Sequence, residues 1–339
     1  MKSEIDKKQI AVLKNTQPFK YLDETRIKII QELGEFVAFD DAEIILKQGE
    51  ISPGLYILLS GKADVTVIAL GQGRVTLAQV APGYFFGEVS LLENGPCTAS
   101  IISCKKTTCF LLKRACYNAF LAVMPQLGYF INQAIVEDVM ERHRMMYKEI
   151  KKLMELPQAT VFNKILPSGK KKYHRPDSDH QLFQRFSYLH RLPVFQLFSK
   201  QELHDFLQHA RVVEVRKHCT LIRDGLTRTC GYFIINGSIQ ISVESTNNRA
   251  KMTVYGPNTL VCPGSFLENK PEIFHYSTID AATLLEISPD YLERLAKTNP
   301  LLWYRCHDVF CRYVVSLQSK LNSLTLRLMN ERVISGVKE

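Results

Sequence analysis

The chain has 339 residues, of which 46% are hydrophobic and 23% charged, and its formal net charge at pH 7 is +9. This length and hydrophobic content are sufficient for two ordinary domains, each with its own core. No apolar run approaches the roughly 18 residues of a membrane-spanning helix, and residues 1–8 lack the apolar segment of a signal peptide, so we expect a cytoplasmic protein without a membrane span.

The amino-terminal part begins as a helix and then changes to short strands. Asp23 is a predicted N-cap, and Ile27, Ile30 and Leu33 follow it at helical spacing. Short apolar or β-branched runs divided by turn residues come after Gly34, at 36–39, 43–46, 55–59, 63–67 and 75–80. Many short strands at this spacing are typical of a β-sandwich or barrel.

The next stretch, residues 83–100, combines the features of a small anion pocket. Gly87 can take a positive φ or let the backbone approach a ligand, and the residues after it begin a short helix with unpaired N–H groups. Glu88 lies in the first turn of that helix and can accept a hydrogen bond from a ligand hydroxyl, such as that of a ribose. The alternative is a solvated carboxylate beside an ordinary turn glycine.

The sequence Phe-Gly-Glu-Val-Ser-Leu-Leu at 86–92, followed by Pro-x-Thr-Ala-Ser at 96–100, resembles the phosphate-binding cassette of the cyclic nucleotide-binding domain family. That family includes regulatory subunits of cyclic-AMP-dependent protein kinase, cyclic nucleotide-gated channels and bacterial regulators of the catabolite-activator type. The resemblance implies that Glu88 holds the ribose 2′-hydroxyl and that amides of the short helix hold the cyclic phosphate. The predicted ligand-binding residues are Phe86, Gly87, Glu88, Val89, Ser90, Cys97 and Thr98.

Cys97 departs from the family pattern, in which an arginine follows the proline and pairs with a phosphate oxygen. A neutral thiol supplies neither the charge nor the fork of that arginine, so we expect roughly ten- to a hundredfold weaker binding. Arg74, Lys105 and Lys106 are nearby cations in the sequence. Thr98 stands where members that prefer cyclic GMP have a threonine, and both cyclic AMP and cyclic GMP stay open as ligands.

Two further strands are predicted at 97–103 and 108–113, and a long helix follows them. One apolar stripe runs along this helix as far as Pro157, and it consists of Ile131, Ile135, Val139, Met146, Ile150 and Leu153. The resemblance implies that the helix folds over the nucleotide and carries a residue that stacks on the base. The candidates are Tyr129, Val136, Met140 and Met146. The alternative is that each packs on the barrel or on a neighbouring helix.

Residues 157–191 form a predicted linker with a local excess of positive charge. Between 164 and 191, seven Lys and Arg residues face two Asp residues. Such a run is usually a solvated linker, so we do not expect nucleic acid as a partner, and binding to nucleic acid or acidic lipid is the alternative.

The chain then repeats itself. A shift of 176 residues pairs Gly49 with Gly225, Tyr56 with Tyr232, and Gly61 with Gly237. One residue is then lost, and a shift of 175 pairs residues 92–94 with 267–269 and Pro96 with Pro271. The sequence therefore predicts two copies of one fold.

Together with the resemblance, the repeat predicts a mainly β architecture with added helices. It consists of two tandem jelly-roll-like β-barrels, each flanked by helices. The predicted domains are 1–156, a basic linker at 157–191, and a second, degenerate domain at 192–339.

The second copy has lost the residues that the chemistry needs. Cys262-Pro263 replaces the Gly-Glu pair, which removes the ribose carboxylate and one donor amide. Glu272 stands at the position of the family arginine and would place a negative charge beside a phosphate, while Phe274 replaces an alanine and fills space. We expect no nucleotide binding in this copy.

The sequence gives no sign of an enzyme or of a metal site. It contains no Gly-x-Ser-x-Gly, kinase or His-Glu-x-x-His motif, and its nine cysteines lack zinc or redox spacing. The tandem arrangement resembles a kinase regulatory subunit, yet no Arg-Arg-x-Ala or Arg-Arg-x-Ser pseudosubstrate is present.

The sequence thus predicts a non-catalytic sensor of cyclic AMP or cyclic GMP that binds its ligand weakly, in the first domain only, and needs no cofactor. We expect a protein partner to bind through the long helices or the second domain. A nucleoside-like ligand is one alternative. The other is a pseudo-receptor scaffold, whose two barrels contact proteins without nucleotide.

Overall fold

The computed structural model describes residues 13–14, 16, 19, 22–69, 73–155, 171–173, 187–192, 195–196, 198–245 and 248–334. Its contacts divide the chain into two compact units. Unit 1 consists of Met1–Glu141 and Val315–Ser319, and unit 2 of Arg142–Val314 and Lys320–Glu339. The domain limits at 156 and 191 that the sequence suggests stay predictions.

Unit 1 is built around one antiparallel sheet. The elements are α1 (Glu24–Leu33), β1 (Glu35–Phe39), β2 (Ile44–Leu46), β3 (Gly54–Ala69), β4 (Gly73–Val80), β5 (Phe85–Phe86), α2 (Glu88–Glu93), β6 (Ser100–Lys113), α3 (Arg114–Val123) and α4 (Pro125–Met154), the last of which continues into unit 2. The strand order is β1-β6-β3-β4, with β2 paired to β6 and β5 paired to β3.

The strands of unit 1 enclose an apolar core. Leu46, Tyr56, Leu58, Phe86 and Cys97 belong to one buried cluster. At the start of α1, the Asp23 carboxylate accepts the Arg26 N–H over 2.8 Å, as the predicted N-cap requires. Phe86, the last residue of β5, and Cys97 both belong to the apolar core, so this core adjoins the segment that follows β5.

The two strands predicted on either side of Gly61 form a single long strand, β3. Gly61 has a φ of 86°, and the pairing of β3 with β6 shifts register between Ser60 and Lys62. A glycine in this conformation produces a bulge inside the strand instead of a turn that ends it. The predicted strands at 97–103 and 108–113 likewise form one strand, β6.

Unit 2 has two sheets. The chain from β7 onward contains β7 (Lys171–Tyr173), a 3-10 turn (Ser187–Arg191), α5 (Lys200–Gln208), β8 (Arg211–Val215), β9 (Thr220–Ile222), β10 (Gly231–Asn236), β11 (Ile239–Glu244), β12 (Arg249–Tyr255), β13 (Leu260–Val261), α6 (Gly264–Leu267), β14 (His275–Thr278), β15 (Ala282–Ile287), α7 (Pro289–Thr298) and α8 (Pro300–Ile334). The sheet orders are β13-β10-β15-β8-β7 and β12-β11-β14-β9. Strand β7 lies within the predicted linker and pairs with β8.

Both units repeat the same backbone hydrogen bonds at the offsets found in the sequence. Gly83 N–H donates to Leu58 O over 2.7 Å, and Asn258 N–H donates to Ile234 O over 2.8 Å. The residues of each pair are related by the shifts of 175 and 176. The internal repeat is therefore a repeat of structure.

Candidate functional site

The first cassette, residues 83–100, places a glycine where no other residue fits. Gly87 precedes α2 with a φ of 83°, in the left-handed region. A Cβ atom at this position would lie 2.9 Å from both Gly54 O and Ser52 Oγ. Both the backbone conformation and the close approach to β3 therefore require glycine.

Helix α2 begins at this glycine and presents its first amides. Leu91 N–H donates to Gly87 O over 3.0 Å, which is the first hydrogen bond of the helix. The N–H groups of Glu88, Val89 and Ser90 precede that bond and have no acceptor within the helix. This end of α2 carries positive partial charge, which favours an anion.

Glu88 does not point into bulk solvent, because it is only 2% exposed. Its charge is one of the influences that raise the pKa of the Cys97 thiol. A buried carboxylate beside a row of amides can accept hydrogen bonds from the hydroxyls of a ligand that the amides bind.

Cys97 lies against the barrel core. Its side chain is 7% exposed, and its N–H donates to Glu50 O over 2.7 Å. Burial raises the pKa of this thiol and Glu88 adds to the effect, while Ser90 and Arg114 oppose it. The thiol is therefore neutral near pH 7 and supplies no positive charge to an anion.

The Ser90 hydroxyl closes the cassette loop. It donates to Gly95 O over 2.6 Å and accepts the Ser52 N–H over 2.9 Å. Its single hydrogen is committed to the loop, so the contribution of Ser90 to an anion site is its backbone N–H.

Arg114 contacts the cassette, and sequence reasoning missed it. Its guanidinium donates to the carbonyls of Ser52, Ser90 and Leu91 at 3.0–3.3 Å and to Asn94 Oδ1 at 2.9 Å. These acceptors include the carbonyl end of α2, where a cation is favourable. Arg114 thus holds the helix in place from its carbonyl end, opposite the amides of its first turn, and does not replace the family arginine.

The remaining predicted residues of the cassette lie on its barrel side or its rim. The Phe86 ring is 1% exposed and stacks on Tyr56 with 5.0 Å between ring centroids, so it belongs to the core. Val89 is buried and Thr98 is half-buried. The three nearby cations, Arg74, Lys105 and Lys106, are all exposed.

Helix α4 is joined to the cassette by a buried carboxylate that the sequence did not single out. Asp138 is 8% exposed, and its Oδ2 accepts the Phe85 N–H over 2.9 Å, two residues before Gly87. Of the candidates for base stacking, Val136 and Met140 are buried and Tyr129 is half-buried. Met146 lies beyond the limit of unit 1.

The second cassette, residues 258–275, has different side chains at the positions equivalent to those of the first cassette. Pro263 occupies the N-cap of the short helix α6, and Cys262 is fully buried. Both oxygens of the Glu272 carboxylate accept hydrogen bonds from neighbouring amides, and Phe274 is 1% exposed. Burial raises the pKa of Glu272, while the N–H donors of Phe274, Ser265 and Ile273 oppose the rise.

None of the helices among the described residues combines the length and apolar character that crossing a bilayer demands. Within the same part of the chain, no group of three His, Cys, Asp or Glu side chains is arranged to hold a metal ion.

A sheet of antiparallel strands, interrupted by a glycine-capped short helix with a buried glutamate, has the features expected of a small anion-binding module. The cyclic nucleotide-binding domain profile matches residues 36–123 and 212–299, more than half of the chain. The chain therefore belongs to the cyclic nucleotide-binding domain family. The predicted fold of two tandem domains is confirmed, and we call the matched ranges the first and second modules.

Two curated relatives illustrate the similarity. The chain is 35% identical over 85 residues to the cyclic AMP receptor protein of Thermus thermophilus, covering 25% of this chain and 39% of that protein. It is 27% identical over 118 residues to a cAMP-dependent protein kinase regulatory subunit of Dictyostelium discoideum, covering 34% and 36%. The chain thus spans less than half the length of these relatives.

Among solved structures, the regulatory domain of Toxoplasma gondii PKA with cAMP aligns over 88% of this chain and 94% of that one. The sequence identity is 16% and the TM-score is 0.32.

Proposed function

We propose that the chain is a non-catalytic sensor that binds a cyclic nucleotide, cyclic AMP or cyclic GMP, weakly and in the first module only. The observation that carries this proposal is the position of Glu88. It is buried in the first turn of α2, next to Gly87 and to the amides that precede the first helical hydrogen bond. A ribose hydroxyl can hydrogen-bond to the Glu88 carboxylate, and a cyclic phosphate can accept hydrogen bonds from these amides.

Weak affinity follows from Cys97. The buried neutral thiol supplies no charge, and the Arg114 guanidinium donates its hydrogen bonds to carbonyl groups at the other end of α2. A missing charge-assisted contact lowers affinity by roughly ten- to a hundredfold. We therefore expect dissociation constants in the micromolar range or weaker.

The signal would leave the pocket through helix α4. The Asp138 carboxylate is bonded to the Phe85 N–H just before the cassette. A ligand that draws the cassette amides together changes the geometry of this contact and so shifts the equilibrium position of α4. We propose that a protein partner reads this shift, through the long helices or the second module.

A pseudo-receptor scaffold that binds proteins without nucleotide is the second candidate. It is favoured by the thiol of Cys97 in the first cassette and by the loss of the Gly-Glu pair in the second. A nucleoside, which has no phosphate to neutralise, is a further ligand class to test.

Titration calorimetry on the full chain with cyclic AMP, cyclic GMP, adenosine and guanosine separates these candidates. The sensor predicts saturable heat with a cyclic nucleotide, lost in Glu88→Ala and kept in Glu93→Ala, an exposed glutamate at the far end of the same helix. No heat from any nucleotide with a folded sample supports the scaffold. Heat from the nucleosides alone supports the nucleoside ligand.

A further inference from the structure

Glu272 sits in the same backbone frame as Cys97. Its N–H donates to Leu226 O and its carbonyl accepts the Gly225 N–H, both over 2.8 Å. Cys97 makes the same two bonds with residues 49–50. The two side chains therefore start from equivalent points of their modules, and their different surroundings can be compared directly.

The Glu272 carboxylate lies within a cluster of donors. One oxygen faces Ser265, at 3.2 Å from both its N–H nitrogen and its hydroxyl oxygen. The other accepts the N–H groups of Ile273 and Phe274 at 3.0 and 3.1 Å. The residue is 2% exposed, so these bonds are shielded from water.

Ser265 is the repeat equivalent of Ser90, whose backbone N–H is one of the amides predicted to hold a phosphate in the first cassette. In the second cassette, the equivalent amide already has an anion, and that anion belongs to the chain itself. The four contacts to Glu272 match the acceptor pattern of an ionised carboxylate, which offers lone pairs on both oxygens and no hydrogen.

We propose that the second module carries a built-in anion: the Glu272 carboxylate takes the place of the cyclic phosphate and holds the cassette and its covering helix in a closed, ligand-independent form. This inference stands whether or not the first module binds a nucleotide.

The covering helix is the end of α4, residues 142–154, which belongs to unit 2 and which we call the lid segment. The rings of His143 and Tyr147 lie 6.1 and 6.4 Å from that of Phe274, centroid to centroid. Phe274 is also one of the residues whose N–H holds the Glu272 carboxylate. Phe274 thus contacts both the Glu272 carboxylate, through its N–H, and the lid segment, through its ring.

Two polar contacts fasten the lid segment to the same module. Arg144 forms an ion pair with Glu268, directly after α6, and the two side chains are 17% and 6% exposed. The Tyr147 hydroxyl donates to Asp224 Oδ2 over 2.8 Å. Removing one partner of a buried ion pair is costly, so these contacts keep the lid segment closed once the cassette has its shape.

External anions are excluded by the same arrangement. The carboxylate repels a second negative charge, Pro263 has no N–H to donate, and the Phe274 ring takes up space between the cassette and the lid segment. A closed module of this kind should not change when nucleotide is added.

Hydrogen exchange on the full chain tests the proposal in wild type and in Glu272→Gln. The glutamine places an NH₂ donor against other donors, so at least one side of the cluster loses its bonds. We expect amides of the lid segment and of residues 264–274 to exchange about tenfold faster or more. Glu214→Gln, at an exposed position of β8, is the matched control and should leave both segments unchanged.

Glu272→Ala gives a second test, because it leaves a gap of carboxylate size. We expect formate to restore slow exchange in the lid segment and chloride at equal concentration to have no effect. Wild-type exchange at 142–154 in both Glu272 variants, or failure of formate to restore protection, would overturn the proposal. If neither variant folds, hydrogen exchange of the wild type tests the proposal. Added cyclic AMP should leave exchange at 264–274 unchanged. Slower exchange there would mean that the N–H donors around Glu272 are open to an added anion and would overturn the proposal.

Discussion

Cys97 and Glu272 make the same backbone hydrogen bonds in the two modules and differ only in what their side chains do. Cys97 N–H donates to Glu50 O over 2.7 Å, and Glu272 N–H donates to Leu226 O over 2.8 Å. The thiol packs into the barrel core, whereas the carboxylate binds amides of its own cassette. The same backbone position thus holds a buried thiol in the first module and a carboxylate bound to amides in the second.

Cys97→Arg should restore the missing charge of the first cassette. If a cyclic phosphate binds at the amide end of α2, an arginine at this position should pair with one of its oxygens and strengthen binding on the order of ten- to a hundredfold. Calorimetry measures the change, and Cys104→Arg, a half-exposed position on β6, adds the same charge outside the cassette. Equal affinities in the two variants would contradict the phosphate position.

Gly87→Ala should cost more stability than Gly83→Ala. Both glycines have positive φ, and a Cβ at Gly83 meets nothing within 4 Å, whereas one at Gly87 lies 2.9 Å from a backbone oxygen. We expect roughly 1–2 kcal/mol for Gly83→Ala and about twice that or more for Gly87→Ala. Urea unfolding gives both values, and equal losses would mean that the close approach to β3 is not real.

Asp138→Ala should loosen helix α4 from the cassette. The change leaves the buried Phe85 N–H without its acceptor, which costs roughly 1–3 kcal/mol of unfolding free energy. Asp138→Asn keeps an acceptor oxygen and should lose less. In a ligand-binding chain, hydrogen exchange in α4 should respond to cyclic nucleotide in wild type and respond less in Asp138→Ala. An undiminished response would separate α4 from signalling.

Acid should destabilise the chain through His143. Burial, with Arg142 and Arg144 adding, lowers the pKa of this fully buried histidine from 6.5 to about 3. The folded state therefore favours the neutral ring. Its contribution to stability is complete above pH 6.5 and is lost as the pH falls towards 3, by roughly 2 kcal/mol between pH 7 and pH 5.

His143→Leu removes this titration and should flatten the fall in unfolding free energy. Other buried histidines, such as His307, have lowered pKa values too. The contribution of His143 to the pH dependence is therefore the difference in the pH slope of the unfolding free energy between wild type and variant. The control is His218→Asn at an exposed position with a φ of 58°, which asparagine tolerates. An unchanged pH slope in His143→Leu would contradict the burial of the ring.

The sequence was sufficient for features that are local or repeated. The cassette is contiguous, and the repeat appears as identical residues at a constant shift, so the short helix after Gly87 and the two modules could be predicted, whereas the ligand-binding roles of Gly87 and Glu88 stay predictions. The strand limits around Gly61 could not be predicted, because glycine is favoured both in a bulge within a strand and in a turn between strands.

The contacts of Arg114 and Asp138 were not predictable from the sequence for a different reason. Each depends on a residue far away in the chain, Ser52 for the arginine and Phe85 for the aspartate, and no periodic pattern marks such pairs. The negative charge of Glu272 was predicted to lie beside any phosphate. The Glu272 carboxylate itself accepts hydrogen bonds from Ser265 and Ile273, and this depends on a loop geometry that only the folded chain provides.

A carboxylate fixed in the second cassette has a consequence for the dose response of the chain. A receptor with two working pockets can couple them and respond over a narrow range of messenger concentration. If Glu272 fills the second pocket permanently and the first module binds a cyclic nucleotide, as we propose, occupancy of the first module follows a simple hyperbola. The chain would then report messenger in a graded manner, without a threshold.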